Sequence, residues 1–328
     1  MSGAEKLVLA IPSKGRLQES TSAFFSRAGL TIAQGSGARG YRGELRELPG
    51  VEIAFVSASE IVRRLATGAA HLGVTGEDLV REHVADDDLL RERMELLTPL
   101  GFGHATIVVA VPQAWIDVRA MADLEDVAAA WHARNGGAKM RVATKYINWT
   151  RRFFAQKGVT DYRIVESLGA TEGAPAAGAA ELIVDITSTG ATLRANALKV
   201  LEDGTIAKSE ANLVASLKAD WNETTKATAR AILARIEAEE DARRSRQVRA
   251  LVPDAAAVAG EASRLFDARA PFGLGEAGAL TLVCPRDRAP ALADWLLGHG
   301  AEHVGVGALD YIFSRRNTLF ERLTERLG

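Results

Sequence analysis

Short apolar runs alternate with stretches of helical period along most of this chain, and that alternation predicts an α/β protein. Leu7-Val-Leu-Ala-Ile11 reads as a buried strand closed by the polar turn Pro12-Ser-Lys-Gly-Arg16, with a helix expected over 17–28. Residues 51–56 read as a strand, 57–67 as a helix, and 70–76 as a short strand ending on a glycine turn. The texture changes around 98–103, and Ala105-Thr-Ile-Val-Val-Ala-Val-Pro112 opens a second α/β region with further strands at 139–144, 162–165 and 182–186. Strands alternating with helices predict largely parallel sheets, here in two similar lobes with a cleft between them.

A long helix is expected over 222–240, with Ala229, Ile232, Leu233 and Ile236 on one face. The charged stretch Asp241-Ala-Arg-Arg-Ser-Arg246 marks a boundary and reads as a solvated helix end. Beyond it a small α+β module is predicted in ferredoxin-like β-α-β-α-β order: strands at 248–252, 280–284 and 303–307, helices at 254–266 and 289–297. The glycine-rich segment 271–278 reads as a loop.

Composition narrows the class. The 328 residues are 47% apolar and 25% charged, as in an ordinary globular protein with room for several domains. A formal net charge of −2 gives no general attraction to nucleic acid or to an anionic membrane, so any anion site must be local. No apolar run is long enough to span a bilayer, and Met1-Ser-Gly-Ala-Glu-Lys6 does not read as a signal peptide. One cysteine, Cys284, excludes an intrachain disulfide and reads as a buried thiol on a strand; a reducing cytoplasm is the expected location. Six scattered histidines without metal-type spacing predict no protein-built metal site.

Candidate chemistry gathers after the strands. Glu181-Leu-Ile-Val-Asp-Ile-Thr-Ser-Thr-Gly-Ala-Thr192 reads as a buried strand running into a hydroxyl-rich turn and then a helix. Unpaired N–H groups at a helix start, with Thr187, Ser188, Thr189, Gly190, Ala191 and Thr192 around them, suit a phosphate; a plain N-cap is the alternative reading. Asp185 stands near the carboxyl end of that strand, where open α/β sheets place ligands and where a carboxylate can take sugar hydroxyls. Lys14, Gly15 and Arg16 follow the first strand; Gly73, Gly76, Glu77 and Asp78 lie in and after the glycine-turn strand, where a base or sugar could approach the backbone; Lys145, Tyr146 and Arg152 follow the strand ending at Thr144. Each set alone is weak, since exposed cations and structural glycines are common.

Together these segments resemble the ATP phosphoribosyltransferase family. The resemblance runs in order through Ile11-Pro-Ser-Lys-Gly-Arg-Leu17, Leu72-Gly-Val-Thr-Gly76, Leu100-Gly-Phe-Gly103, Thr144-Lys-Tyr146 with Thr150-Arg-Arg152, Gly169-Ala-Thr-Glu-Gly-Ala-Pro175 and Val184-Asp-Ile-Thr-Ser-Thr-Gly-Ala-Thr-Leu193, over roughly 7–240. His71 stands where the family has Asp, Glu60-Ile-Val62 where it has Asp-Ile-Pro, and Ile147 where it has Pro; the first two fall in the lobe expected to hold adenine.

The resemblance implies a two-lobed, periplasmic-binding-protein-like catalytic region: lobe I from 1–103 and 213–242, lobe II from 104–212, and a C-terminal regulatory domain over 246–328. It implies transfer of phosphoribose from phosphoribosyl pyrophosphate to N1 of the ATP adenine, the first step of histidine biosynthesis. Mg²⁺ would be held mainly through substrate phosphates. Asp185 and Glu172 are expected on the ribose hydroxyls, residues 187–192 on the 5-phosphate, and Lys14, Gly15, Arg16, Gly73, Gly76, Glu77, Lys145, Tyr146 and Arg152 on nucleotide or pyrophosphate, with Arg16, Asp185 and Glu172 as the catalytic set. Histidine is the expected inhibitor and a homo-oligomer, dimer to hexamer, the expected assembly. A two-lobed cytoplasmic sensor without catalysis, or a transferase for another base, are the competing readings.

Overall fold

The computed structural model describes residues 6–35, 41–84, 87–167, 169–275 and 278–328. Residues 1–5 of the segment read for a leader, and 276–277 of the expected loop, lie outside them. No helix among the described residues is long and apolar enough to cross a membrane.

Packing divides the chain into two units: 1–24 with 32–225 and 325–328, and 25–31 with 226–324. From Lys226 the long helix therefore groups with the C-terminal module, whereas lobe I was expected to keep it to 242. The reason lies in the tail that runs along the helix. The Ile312 N–H donates to the Ala238 carbonyl (2.9 Å), Asn317 Nδ2 to that of Arg230 (3.2 Å) and the Thr318 N–H to the Glu237 carboxylate (3.0 Å).

The first unit holds two sheets. The lobe I elements are β1 (Leu7–Pro12), α1 (Gly15–Arg27), β2 (Ile32–Gln34), β3 (Arg42–Leu45), β4 (Leu48–Val56), α2 (Ala58–Thr67), β5 (Leu72–Gly76), α3 (Glu77–His83), α4 (Asp87–Arg93) and β6 (Met94–Pro99). Lobe II follows with β7 (Ala105–Pro112), α5 (Met121–Arg134), β8 (Met140–Thr144), α6 (Ile147–Gln156), β9 (Tyr162–Glu166), β10 (Leu182–Thr187), α7 (Ala191–Ala195) and β11 (Leu198–Ser209), before β12 (Ala211–Ser216) returns to the first sheet. The orders are β2-β3-β4-β1-β5-β12-β6 and β11-β7-β10-β8-β9. Only β4-β1-β5 and β10-β8-β9 are parallel, so both sheets are mixed, not largely parallel as the alternation had predicted.

The two crossovers between the sheets run side by side. The Leu100 N–H donates to the Ala211 carbonyl and the Ala211 N–H to that of Phe102, both at 2.9 Å. Gly103 has φ +67°, and a Cβ there would lie 3.0 Å from Leu17 Cδ1 and 3.3 Å from Ala211 Cβ, so this close approach needs glycine.

In the second unit α8 (Glu223–Arg244), shared with the first, leads into β13 (Ser245–Leu251), α9 (Ala255–Phe266), β14 (Ala279–Pro285), α10 (Ala289–Gly298) and β15 (Val304–Gly307). α11 (Thr318–Leu327) closes the chain. β13 lies between antiparallel neighbours β14 and β15. An isolated antiparallel bridge from Arg269 to Val283 adds a vestigial strand outside β14. Counting that bridge, the order is that of a ferredoxin-like βαββαβ sheet whose second strand is a single residue pair. Cys284 is buried on β14 as expected, and burial pushes its thiol upward, with Asp287 adding.

Candidate active site

The parallel register of lobe II builds the candidate site. Val184 pairs with Thr144, and Thr144 with Glu166, so the carboxyl ends of β10, β8 and β9 lie on one edge. Asp185, one step beyond Val184, thereby comes beside Lys145, one step beyond Thr144. Glu172, on a short 3-10 turn at Thr171–Gly173, faces the same space. A cavity of about 320 Å³ is lined by Glu172, Asp185, Thr187, Ser188, Thr189 and Thr192, with Ile186, Ala191 and Leu193 completing it.

Electrostatics mark this pair of carboxylates. Burial raises the Asp185 carboxyl above its ordinary value and the like charge of Glu172 adds to it; the Ile186 N–H, at 2.8 Å, and the Lys145 charge oppose. An acid pressed upward in a cleft beside a second acid is typical of a group held for a ligand.

The turn itself departs from expectation. α7 has only five residues, so a helix macrodipole contributes little, and the donors are those of the turn. Gly190 has φ +71°, a left-handed turn that glycine takes without strain. Thr187 Oγ1 accepts from the Gly190 N–H (2.8 Å) and Ser188 Oγ donates to the His104 carbonyl (3.1 Å), which fixes the loop. Among the described residues the Ser188 and Thr189 N–H groups have no protein acceptor.

Several expected residues lie elsewhere. Tyr146 is wholly buried, and its hydroxyl donates to Asp78 Oδ2 (2.7 Å), so it forms part of the wall between lobes. Burial, and then the Asp78 charge, drive its phenol far upward, fixing it as a neutral donor. Ser209 donates to the other Asp78 oxygen (2.8 Å) and accepts from the Asp78 N–H (3.0 Å). Glu82 of α3 accepts from the N–H groups of Asn148 (2.8 Å) and Trp149 (3.0 Å), capping α6 of the opposite lobe, whose own cap residue supplies no side-chain bond. Burial raises the Glu82 carboxyl against those donors. Arg152 stacks on Trp149 (4.8 Å) and reaches the Arg81 carbonyl, joining the same wall. The sequence placed Asp78 only in the turn after β5, and Glu82 and Ser209 were missed, because the partners of all three lie 66 to 131 residues away.

On the lobe I edge, Lys14, Gly15 and Arg16 are exposed after β1, and neither cation has an ion-pair partner among the described residues. Gly73 is a packing glycine: a Cβ would lie 2.7 Å from Ile61 Cγ2. Gly76 caps α3, where a Cβ would lie 2.2 Å from Asp78 Oδ1, and Glu77 pairs with Arg81 (2.7 Å).

His71 and Glu60 both have partners within the protein. His71 Nδ1 accepts from the Val8 N–H (3.1 Å) at the amino end of β1, its Nε2 faces the Asp220 carbonyl (3.1 Å), and its ring meets Trp221 edge-on. It links the backbone of β1 to the segment that follows β12. Glu60 is held by Arg63 (2.7 Å) and Arg64 (2.9 Å), hydrogen bonds that bring its carboxyl down to about 2.

Comparison with known proteins agrees with this architecture. The family profile described as HisG, ATP phosphoribosyltransferase, matches residues 57–238. ATP phosphoribosyltransferases of Nitrobacter winogradskyi and Bradyrhizobium diazoefficiens are 59% and 58% identical, covering 97% and 96% of this chain and 97% of each relative. The solved ATP phosphoribosyl transferase (HisG:HisZ) complex from Thermotoga maritima matches with a TM-score of 0.53 at 25% identity, over 70% of this chain and 95% of that one. The class is therefore a pentosyltransferase on a two-lobed α/β scaffold. The chain belongs to the ATP phosphoribosyltransferase family, whose reaction is the first step of histidine biosynthesis.

Proposed function

We propose that the cavity at the end of β10 holds phosphoribosyl pyrophosphate, with residues 187–192 on the 5-phosphate and Asp185 and Glu172 on the ribose hydroxyls. The observation that supports this reading is one cavity in which two carboxylates and a donor-rich turn face the same space. N1 of the ATP adenine attacks C1 of the ribose; the C1–N1 bond forms as the C1–O bond breaks and pyrophosphate leaves with the electron pair. The adenine lone pair does this without prior deprotonation, so the protein acts by positioning and by charge. Asp185 and Glu172 accept from the sugar hydroxyls and place negative charge near a carbon that becomes oxocarbenium-like. Lys145, with Lys14 and Arg16 on the lobe I edge, takes the pyrophosphate and nucleotide phosphates.

Among the described residues no group of three or more His, Cys, Asp or Glu could hold a metal. Glu172 and Asp185 with substrate phosphates and water suit Mg²⁺, which commonly binds through one or two carboxylates. When bound it neutralises charge on pyrophosphate and improves it as a leaving group.

Histidine is the inhibitor that fits the C-terminal module. A cavity of about 710 Å³ there carries Arg249 for an α-carboxylate and Glu302 for an α-ammonium. Homo-oligomers in a cytoplasmic setting complete the reading. Calorimetric titration with phosphoribosyl pyrophosphate tests the site: tight binding to the wild type and at least ~10-fold weaker binding to Asp185→Asn are expected. Equal affinities overturn the ribose role. Activity unchanged by histidine overturns the regulatory one.

A further inference from the structure

The second unit carries another cavity, of about 550 Å³, whose lining shares no residue with the transfer site or with the amino-acid cavity. Arg27 closes α1, Glu239 and Arg243 lie on α8, Arg246 on β13, Arg286 just past β14, and Tyr311 on the tail. The nearly buried Glu239 carboxylate takes two of the guanidiniums, Arg27 at 3.3 Å and Arg243 at 3.5 Å.

Arg246 and Arg286 stand differently. Arg246 gives one N–H to the Ser245 carbonyl (2.7 Å), and the Arg286 backbone N–H continues the ladder to the Arg244 carbonyl (2.9 Å). Among the described residues neither guanidinium has an acidic partner, and Asp310, which also lines the cavity, pairs with no cation. Four guanidiniums thus face two carboxylates, leaving two positive charges in excess. Guanidinium forks match phosphate oxygens in planar, bidentate fashion.

One wall is aromatic. Tyr311 is 37% exposed, its hydroxyl donates to the Arg27 carbonyl (2.9 Å), and its ring lies 5.8 Å from that of Phe313. A fixed, half-open ring beside excess cationic charge offers a stacking face and a phosphate anchor together. The geometry points to a nucleoside-phosphate site in the C-terminal unit, with the phosphate on Arg246 and Arg286 and the base on Tyr311.

Equilibrium dialysis of the full chain with radiolabelled ADP tests this. The Arg246→Gln, Arg286→Gln double variant is expected to bind one fewer ADP per chain than the wild type, with unchanged kcat and KM for the two substrates when ADP is absent. Tyr311→Ala is expected to weaken the same component at least ~10-fold. Equal ADP stoichiometry in wild type and double variant overturns the proposal. So does a double variant that keeps its ADP but falls to a smaller oligomer in sedimentation, which makes the cavity a contact between chains. If the double variant fails to fold, Tyr311→Ala decides: undiminished ADP binding overturns the site. Failure of the transfer-site reading shows instead in phosphoribosyl pyrophosphate binding and leaves this comparison untouched.

Discussion

Tyr146→Phe removes one oxygen from the wall between the lobes and changes almost nothing else. The ring is fully buried and its volume is kept, so no cavity forms; what disappears is the donor to Asp78 Oδ2 at 2.7 Å. Asp78 is itself 6% exposed, so water cannot readily replace that donor, while Oδ1 keeps its bond from Ser209 at 2.8 Å. A hydrogen bond to a charged group is worth about 1.5–3 kcal/mol net, and a buried acceptor left short incurs a desolvation penalty in the same range. We therefore expect destabilisation of about 2 kcal/mol, which in a unit of this size lowers the first calorimetric transition by about 4–8 °C. Ser209→Ala strips the opposite oxygen, and because both donors serve one carboxylate, the two changes should couple by about 0.5–3 kcal/mol in a double-mutant cycle. A Tyr146→Phe loss below about 0.5 kcal/mol, or additive effects, refutes the view that Asp78 ties the lobes together.

Asp185→Asn is expected to lower kcat/KM for phosphoribosyl pyrophosphate by about 10–150-fold, the worth of a charge-assisted hydrogen bond. The same change should raise the melting temperature at pH 7. Burial lifts the folded-state pKa of Asp185, so the folded chain keeps this proton to higher pH than the unfolded chain, and ionisation subtracts stability as the pH rises past the ordinary carboxyl range. The gain should vanish below about pH 4, and a gain that persists there contradicts the argument. Arg16→Ala should raise KM for one phosphorylated substrate about 10-fold in steady-state kinetics and reduce its salt dependence; unchanged kinetics for both substrates removes Arg16 from the site. His71→Ala strands the Val8 N–H and should cost about 1–3 kcal/mol in urea unfolding while leaving kcat/KM intact; a catalytic defect without loss of stability reverses its assignment as a structural residue.

Legibility followed the range of the interactions involved. The segment 181–192 could be read as strand, turn and ligand edge because period, β-branching and turn chemistry are local, and the structure gathers Asp185 and the hydroxyl turn with Glu172 in one cavity. The strands β6, β11 and β12 were not read. β11 is interrupted by register shifts that break the period of two, and β12 is a short buried run with no alternation. The hairpin β2–β3 rests on three and four residues at a sheet edge. Tyr146 looked like a site residue because it follows Lys145 at a strand end; only the fold shows its hydroxyl turned to Asp78, 68 positions away. His71 drew attention as an unusual residue in a familiar motif, yet its partners Val8 and Asp220 make it a link between backbone segments.

Incubating the purified chain with ATP, phosphoribosyl pyrophosphate and Mg²⁺, and following phosphoribosyl-ATP by its ultraviolet absorbance alongside released pyrophosphate, shows whether the chain transfers phosphoribose to ATP through the Asp185 cavity. We predict equimolar appearance of the two products in the wild type and a severe loss of both in Asp185→Asn. Pyrophosphate without phosphoribosyl-ATP would contradict transfer to ATP, and full turnover in Asp185→Asn would contradict the role given to Asp185.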